Sequence, residues 1–408
     1  MPKRILVGAV LHSNAGQLSA FFRGLSSLNL ENASIRFAFV DARTTPLAQL
    51  LSRAFISTHK GIIESDYVQS EALAPIPKVH RLEWFLAFGR NRLIQEAIEL
   101  DVDALLILSD QVVINQSTLE ELLSQDKDWI DKIVWKDEKQ EQTKAAFNLT
   151  SAASTDDLEH YRNGGCHAIG TAGECMLIKG KALGPGLRYQ FQRHLGLFDP
   201  DLHLALRGQF AGLSRWLSCD HPLYLTPSTD KKQSTEQWVA SAINRVFSYD
   251  PKTVTGLEGL DYLCEALRGP RREQAHALAT EIKRSQTRSI MYVAGIQKKD
   301  GSENTYLVTA VQDASSQELR EAQAYSVTVV LTEEDNEWRI EDVQLNPLDV
   351  SPIQEANRQR YAIPPLMSVR RAHGAKKNEG TINLSEPSDD IAPSLDNVKG
   401  LKIYRLNS

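Results

Sequence analysis

An acidic residue, Asp110, stands two positions after the apolar run ALLIL of residues 104–108, with Ser109 between them. The run is continuous rather than alternating, which predicts a strand buried on both faces, as in a parallel sheet covered by helices. Ligands of open α/β sheets bind outside the carboxyl ends of the strands, so Asp110 marks a candidate ligand site, with its carboxylate facing solvent. The alternative is that Asp110 only forms a turn, as Asp commonly does. Ser117 and Glu120 follow in a capping pattern that predicts a short helix.

The elements that would position Asp110 alternate between strand-like and helix-like patterns over residues 1–230. This alternation is typical of βαβ units, and it predicts an α/β fold with a doubly wound sheet and helices on both faces. The predicted strands include ILVGAVL, IRFAFVD and ALLIL, and the predicted helices include QLSAFFRGLSSL, TPLAQLLSRAF and RLEWFLAFGRNRLIQEAIEL.

Residues 235–348 predict a second, smaller domain of the α+β class, because helical patterns come first and strand patterns follow. The helical patterns are EQWVASAINRVF, LEGLDYLCEALRG and REQAHALATEIKRSQ. The strand patterns are SIMYVAGIQKK, NTYLVTAVQD, AYSVTVVLTEE and EWRIEDVQL, with turn residues between them, as in an antiparallel meander. Residues 352–408 are rich in Ser, Asp, Asn, Pro and Lys, which predicts a mostly flexible tail.

Charge and cysteine content narrow the function classes. The 408 residues carry a formal net charge of -6 and a pI near 6.0, which disfavours nucleic acid as a partner. The four cysteines form no CxxC pair and no zinc-ligand spacing, so we expect free thiols of a reducing compartment or small buried hydrophobic side chains. No transmembrane or targeting segment is visible, so a soluble, cytoplasmic protein is expected.

The first half of the chain carries four motifs in a fixed order: ILVGAVLHSNAGQLSAFFRGLSSL, FVDARTTPLAQLL, GRNRLIQEAI and LLILSDQVVINQSTLEELL. In this order, residues 4–227 resemble glycosyltransferases of the GT-A fold, particularly family 2-like and mannan-polymerase-like enzymes. The resemblance implies a mixed doubly wound sheet that binds a nucleotide-sugar donor. Asp41 would contact the base or ribose of the nucleotide, and Arg90 and Asn91 would lie near the donor. Asp110 would bind a metal ion or the ribose.

Two further motifs resemble the acceptor side of these enzymes. GTAGECMLIKGKAL is similar to their Gly-rich turn, where Glu174 would hydrogen-bond a sugar, although a tight turn before a buried strand explains the motif equally well. LFDPDLHLALRGQFAGL is similar to their acidic motif, so Asp201 would take the proton of the acceptor hydroxyl, as an inverting transferase requires. Asp201 also suits a helix cap, and Asp199 is the reserve candidate for the base. Arg207 would hold a phosphate or pair with Asp201 or His203.

The stretch WLSCDHPLYLTP resembles the last core strand of the family and the His that completes its cation site, which here would be His221. Together with Asp110 it implies a divalent cation, Mn²⁺ or Mg²⁺, which would stabilise the charge of the leaving diphosphate. This chain has Ser109, Asp110 and Gln111 where the family usually has two acidic residues, and an amide oxygen is a weaker ligand. Weak metal use, metal-independent transfer and a degenerate site are the alternatives. A lone His is also commonly a hydrogen-bonded surface or core residue.

Two functions therefore compete. The first is a glycosyltransferase that moves a sugar from a nucleotide-sugar donor to an unidentified acceptor, inverting if Asp201 is the base. The second is a non-catalytic binding or assembly protein that retained the fold, which Ser109 and Gln111 favour. A nucleotidyltransferase is a distant third, because HSNAGQ lacks the Gly-rich, Lys- or Arg-bearing loop expected there. The second region, with Trp238 and Trp338, faintly resembles the nuclear-transport-factor-2-like fold, which serves as a dimerisation or ligand-pocket module. The resemblance implies an accessory domain for interaction or homo-oligomerisation, and the alternative is that these aromatics only fill a core.

Overall fold

The structure is a computed structural model, and it contains two β-sheets. It describes residues 2–28, 33–42, 44–64, 73, 75–136, 139–140, 143, 155–170, 172–184, 186–192, 199–225, 234–316, 320–334 and 337–350. The predicted tail, residues 352–408, lies outside these ranges. Within them, no helix is long and apolar enough to cross a membrane.

The larger sheet is built from eight strands of the first region. They are β1 (Lys3–Leu11), β2 (Ala33–Asp41), β3 (Gly61–Glu64), β4 (Ala104–Ser109), β5 (Trp129–Trp135), β6 (Cys166–Ala168), β7 (Cys175–Lys179) and β8 (Arg215–Tyr224). Their order is β3-β2-β1-β4-β7-β5-β8-β6. β7 is antiparallel to β4 and β5, and β6 is antiparallel to β8, whereas the other pairs are parallel. The sheet is therefore mixed, as expected.

Helices cover both faces of this sheet. They are α1 (Ala15–Ser26), α2 (Pro46–Thr58), α3 (Arg81–Glu99), α4 (Thr118–Ser124), α5 (Thr155–Arg162) and α6 (Pro200–Phe210). Successive side chains of β1 point to opposite faces, so Ile5 and Val7 pack with α1 and α2, whereas Leu6 and Val10 pack with α3 and α6. The predicted doubly wound α/β class is confirmed.

Short polar side chains begin several of these helices, but one predicted cap is wrong. Asn14 and Thr45 accept hydrogen bonds from the third residue beyond them and so cap α1 and α2. Ser117 precedes α4 in a helical conformation and makes no capping bond. Its hydroxyl instead donates to Glu121 Oε1 at 2.6 Å. Glu121, one turn later on the same helix face, therefore takes the place that the sequence pattern gave to Glu120.

The sheet has a topological switch point at β1. The chain runs from β1 to β2 and β3 on one side, and then returns to β4 on the other side of β1. The loops that follow β1 and β4 therefore diverge, which leaves a crevice at the carboxyl edge where ligands of such sheets bind. β1 ends there at Leu11, and β4 ends at Ser109, directly before Asp110.

The second region forms an α+β unit, as predicted. Its helices are α7 (Thr235–Phe247) and α8 (Glu265–Ser285), and its strands are β9 (Arg288–Lys298), β10 (Thr305–Ser315), β11 (Arg320–Glu334) and β12 (Glu337–Pro347). The strand order β12-β11-β10-β9, with every pair antiparallel, is a meander. α7 packs on one face of this sheet through Val239, Ala242 and Ile243.

The helical prediction for LEGLDYLCEALRG is wrong in its first part. Gly259 adopts a φ of 76°, and residues Leu260–Tyr262 form a single turn of 3₁₀ helix instead of an α-helix. α8 then continues through Gly269 and Pro270, which the sequence pattern treats as a break between two helices. A Cβ at Gly259 would lie 2.7 Å from the Val246 side chain, so the tight packing of this turn against α7 favours glycine in this conformation.

The two regions share a hydrophobic core. One cluster of buried residues joins Phe22 and Phe55, on α1 and α2, to Ala294, Val311 and Ala324 of the smaller sheet. α1 and α2 therefore lie between the two sheets. Ser19 Oγ on α1 also donates to the Val293 carbonyl on β9 at 2.6 Å. Burial of both apolar surfaces and a buried hydrogen bond hold the second region against the first.

The four cysteines make no disulfide. Cys175, Cys219 and Cys264 are buried, and Cys166 is half-buried. Burial raises the pKa of the Cys175 thiol to about 12, and burial together with the Asp220 charge raises the pKa of Cys219 to about 12. Both thiols therefore stay protonated at neutral pH and pack as small apolar groups.

His59 follows α2 at the contact between the two regions. Its ring stacks on Phe55 with centroids 4.1 Å apart, and its Nε2 lies 3.1 Å from Gln297 Nε2 on β9. Burial lowers the pKa of His59 below the ordinary value of 6.5, even though a hydrogen bond to the Phe55 carbonyl acts in the opposite direction. The folded protein therefore binds a proton at His59 less readily than the unfolded chain does.

We expect His59 to lower the free energy of unfolding as the pH falls below about 6.5, because the unfolded chain then gains a proton that the folded protein resists, until the folded pKa is reached. Urea denaturation at about pH 7.5 and about pH 5.5 measures the total loss in the free energy of unfolding, to which His59 and the other titrating groups contribute. The variant His59→Gln should lose less stability between these two pH values than the original protein. Equal losses in both proteins would contradict this origin of the pH dependence.

Candidate functional site

Asp110 is fully buried at the end of β4 and fixes the loop that follows β1. Its Oδ2 accepts hydrogen bonds from the backbone N–H of His12 at 2.6 Å and of Ser13 at 2.8 Å. Its Oδ1 accepts from Ser13 Oγ at 2.9 Å and lies 2.9 Å from His12 Nδ1. The expectation of a solvent-facing carboxylate is therefore wrong, because a loop that is distant in sequence supplies four partners.

The His12 ring forms an ion pair with Asp110 at the edge of the crevice. Burial alone would lower the pKa of His12, but the hydrogen bond and the negative charge of Asp110 outweigh it and raise this pKa above 6.5. The pairing therefore favours an imidazolium beside the buried carboxylate. Sequence analysis did not identify His12, although its position directly after the first strand was a usable signal.

Asp41 ends β2 on the same edge of the sheet, in register with Leu11 of β1. Its Oδ1 accepts from the backbone N–H and the hydroxyl of Thr44, both at 2.8 Å, and its Oδ2 accepts from Gln49 Nε2 at 2.9 Å. Asp41 thus holds the turn between β2 and α2. Its contact with a nucleotide stays a prediction, and its position at the carboxyl edge is compatible with it.

A second polar cluster surrounds Asp201 on the face of the sheet covered by α3 and α6. Asp201 Oδ1 accepts from Arg90 Nη1 at 2.8 Å and from the Tyr189 hydroxyl at 3.0 Å. Asn91 fixes the backbone of Tyr189 by donating to its carbonyl at 2.8 Å and accepting from its N–H at 2.7 Å. Arg90 and Asn91, which were predicted to lie near the nucleotide-sugar donor, therefore lie beside Asp201, the predicted base.

Gly173 and Glu174 connect this cluster to the end of β4. A Cβ on Gly173 would lie 2.3 Å from Asp201 Oδ2, so only glycine leaves room for the carboxylate. The carbonyl of Glu174 accepts from the Ser109 N–H at 2.7 Å, which places this turn beside Asp110. Burial alone would lower the pKa of Arg90, but Tyr189, Asp201 and Glu174 raise it, so the guanidinium remains charged.

The helix cap of α6 is Asp199 rather than Asp201. Asp199 Oδ1 accepts from the N–H groups of Asp201 at 2.8 Å and of Leu202 at 3.4 Å. The Asp201 side chain is 17% exposed and takes no part in this cap. Of the two sequence interpretations of Asp201, the capping one is therefore wrong. Arg207 donates to Gln190 Oε1 at 2.5 Å and pairs with no carboxylate in the described part of the chain.

Sequence analysis missed a buried ion pair that supports the turn at Gly173. Arg215 binds Asp131 with two hydrogen bonds, Nε to Oδ2 at 2.6 Å and Nη2 to Oδ1 at 2.9 Å. Nη2 also donates to the Ala172 carbonyl at 2.9 Å, directly before Gly173. Burial raises the pKa of Asp131, and the Arg215 charge opposes this shift. The signal in the sequence was the charged pair Asp131-Lys132 inside the otherwise apolar strand WIDKIVW.

His221 belongs to a third polar cluster. Its side chain is 76% exposed, and its Nδ1 lies 3.2 Å from Glu121 Oε1. Glu121 also accepts from the buried Lys132 at 2.5 Å. Burial alone would raise the pKa of Glu121, but the hydrogen bonds from Lys132 and Ser117 lower it. The observed partner of His221 is thus Glu121 on α4.

The geometry does not fit a divalent cation held by Asp110 and His221. Four donors already surround the Asp110 carboxylate, which a cation would have to displace. Among the residues that the structure describes, no group of three or more His, Cys, Asp or Glu side chains is arranged to hold a metal ion. The metal role of these two residues stays a prediction that their contacts do not support.

We expect Asp110→Ala to lower the free energy of unfolding by about 3 kcal/mol or more, because the N–H groups of His12 and Ser13, the Ser13 hydroxyl and the His12 ring all lose their partner. Urea denaturation measures this loss. Glu120→Ala, at an exposed position of nearby α4, is the control and should change stability by less than about 0.5 kcal/mol. A loss for Asp110→Ala as small as that of the control would show that the four contacts do not support the fold.

Gly173→Ala should destabilise the protein by roughly 1–3 kcal/mol, because the added methyl group overlaps the Asp201 carboxylate. The loss should shrink in an Asp201→Ala background, where the overlapping atoms are absent, and a double-mutant cycle of urea midpoints measures the coupling. Gly184→Ala is the matched control, because a Cβ there meets nothing within 4 Å. Equal losses in the two backgrounds would contradict the contact.

Comparison with known proteins gives only distant structural matches. No family model and no curated protein matches the chain. TarS of S. aureus is similar at 11% identity and a TM-score of 0.34, over 55% of this chain and 60% of that chain. The mannosyltransferase PcManGT from Pyrobaculum calidifontis, solved with GDP-Man and Mn²⁺, is similar at 12% identity and a TM-score of 0.38, over 56% of this chain and 59% of that chain. The chain thus spans about three fifths of each of these structures.

TarS and PcManGT are glycosyltransferases of the GT-A type, the kind of protein that the sequence motifs resemble. TarS has also been solved with UDP-GlcNAc. VirB8 of Agrobacterium tumefaciens is similar at 10% identity and a TM-score of 0.24, over 30% of this chain and 99% of that chain. At these TM-scores, donor, acceptor and site residues can be argued only from the geometry of this chain.

Proposed function

We propose that this protein is a glycosyltransferase that moves a sugar from a nucleotide-sugar donor to an acceptor hydroxyl, with Asp201 as the general base. The observation that carries the proposal is the state of the Asp201 carboxylate. Arg90 and Tyr189 hold Oδ1, whereas Oδ2 has no hydrogen-bond donor among the described residues. Oδ2 lies against Gly173, and because no hydrogen-bond donor of the described residues occupies its lone pairs, it can accept a proton.

The crevice between the ends of β1 and β4 is the proposed donor site. Asp110 holds the loop at His12 and Ser13 against the end of β4, so the crevice wall is fixed before a ligand arrives. The turn at Glu174 joins this crevice to Asp201 through its bond to Ser109. A donor in the crevice and an acceptor beside Asp201 would therefore meet at the same edge of the sheet.

The proposed reaction is a single displacement. Asp201 Oδ2 takes the proton of the acceptor hydroxyl while the hydroxyl oxygen forms a bond to the anomeric carbon of the sugar. The bond between that carbon and the diphosphate breaks on the opposite face, and the nucleoside diphosphate leaves with the bonding electrons. The configuration at the anomeric carbon is thereby inverted. The ion pair with Arg90 holds the carboxylate in place through Oδ1, which leaves Oδ2 for the proton.

A second function is favoured by the contacts of Asp110. Because its carboxylate is saturated by the protein itself, the acidic position after β4 stabilises the fold without any ligand. We therefore carry a non-catalytic binding protein as the alternative, in which the crevice binds a nucleotide sugar and no transfer follows. Nucleotide release from a panel of UDP- and GDP-sugars, with and without Mn²⁺, separates the two. With water as the acceptor in the absence of the natural one, only the transferase hydrolyses the donor and releases the nucleoside diphosphate.

Asp201→Asn should lower the rate of sugar transfer by about a hundredfold or more and leave donor affinity nearly unchanged, because the amide cannot accept the proton. The rate is measured as nucleotide release with the best donor of the panel, and the affinity by calorimetry. Asp199→Asn is the matched control, since Asn caps a helix about as well as Asp and the rate should not change. Full turnover of Asp201→Asn would remove Asp201 as the base.

A further inference from the structure

A cavity of about 420 Å³ lies in the second region, away from the crevice of the larger sheet. Its walls come from α7, the 3₁₀ turn, the first two turns of α8 and the start of β12. The residues that line it are Trp238, Leu260, Asp261, Tyr262, Arg268, Arg272, Glu337 and Arg339. Its volume falls in the range of pockets that take small organic ligands.

Three arginines converge on this cavity. Arg268 and Arg272 are four residues apart on α8, so they project from one face of the helix. Arg339 reaches the cavity from β12 and is 17% exposed. Its Nη1 donates to the Trp338 carbonyl at 3.0 Å and its Nη2 pairs with Glu337. Its Nε is buried and has no acceptor within the described ranges, which leaves one donor of the cation unsatisfied.

The three arginines differ in how far they are already paired. Three guanidinium groups face two carboxylates, Asp261 and Glu337. Arg268 is already engaged with the Leu260 carbonyl and with Glu265, whereas Arg272 is exposed. Guanidinium groups present planar forks of N–H donors that match a carboxylate or a phosphate. An anion in the cavity would pair with Arg272, for which the described ranges contain no carboxylate partner, and would accept a further hydrogen bond from Arg339.

Two aromatic rings add a surface for a flat group. Trp238 and Tyr262 have ring centroids 5.5 Å apart at an angle of 58°, and both side chains are only half-buried. Their accessible faces can stack on an aromatic ring. Trp238 and Tyr262 therefore line the cavity in addition to packing against the core of the second region.

A neighbouring cavity of about 340 Å³ is the natural comparison. It shares Asp261 and Tyr262 with the first cavity, but it contains a single arginine, Arg245, against two carboxylates, Asp261 and Glu258. Its walls are therefore net negative. The two adjacent cavities thus differ in arginine content, three against one, and the first offers more donors to an anion.

We propose that the cavity between α7, α8 and β12 binds a small anionic ring compound, with its carboxylate or phosphate on Arg272 and Arg339 and its ring against Trp238 and Tyr262. The site is separate from the proposed transfer site. It stands on its own contacts, so it does not depend on the proposed function.

Isothermal titration of the full-length protein at low salt tests the proposal with three probes: phenyl phosphate, benzoate and inorganic phosphate. We expect one site per chain for at least one ring-bearing probe, with inorganic phosphate weaker because it lacks the ring. The stronger of phenyl phosphate and benzoate identifies the anion. Arg272→Gln should weaken this binding about tenfold, the usual effect of one lost charged hydrogen bond. Trp238→Leu should weaken it as well.

Two controls locate the binding. Arg284→Gln makes the same charge change on the same helix, at a side chain that is 76% exposed and paired with Glu281, and should bind like the original protein. Asp201→Asn should also bind normally, because the transfer site is not involved. The proposal is overturned if no ring-bearing probe binds, if Arg272→Gln binds as tightly as Arg284→Gln, or if Asp201→Asn alone loses binding. Arg272 is chosen for the test because it is exposed, so its replacement should not disturb the fold. Arg339 is not chosen because it pairs with Glu337 on its own strand.

Discussion

The buried carboxylate of Asp110 is the constraint on which the candidate site depends. A charge without access to water must be surrounded by donors, and here the donors come from the loop after β1. The same four contacts hold the loop after β1 against the end of β4 at the switch point, and this loop forms a wall of the crevice. Asp110, which the sequence motifs associate with a ligand, thus connects the loop after β1 to the end of the neighbouring strand β4.

A second set of charges positions Asp201 by a chain of contacts. Arg215 is held by Asp131 in the core and binds the Ala172 carbonyl, and the next residue, Gly173, packs directly on the Asp201 carboxylate. Buried ion pairs contribute little net stability compared with apolar residues of the same volume, but removing one partner is costly. The pair of Arg215 and Asp131 instead fixes the position of the turn at Gly173, whose backbone must approach the Asp201 side chain closely.

Helix α1 joins the crevice to the second region. It begins at Ala15, directly after the loop that Asp110 holds, and it packs against β9 through Ser19 and the shared apolar core. Two sheets with different strand patterns are therefore joined through one layer of helices. α1 and α2 bury apolar side chains against both sheets, which explains why their sequences are rich in Phe, Leu and Ala.

Local pattern alone determined the class of the fold, because apolar periodicity and turn residues act over a few neighbouring positions. It predicted β1, β2, β4, β7 and β8 of the larger sheet, the antiparallel meander and most helices, but not β3, β5 or β6. It failed at LEGLDYLC, where packing of Gly259 against Val246 decided the conformation. The site depended on partners far apart in sequence: Asp110 lies 98 positions from His12, and Arg90 lies 111 positions from Asp201. Whether a carboxylate caps a helix or holds a distant loop is set by these distant donors, so only the tertiary structure decided it.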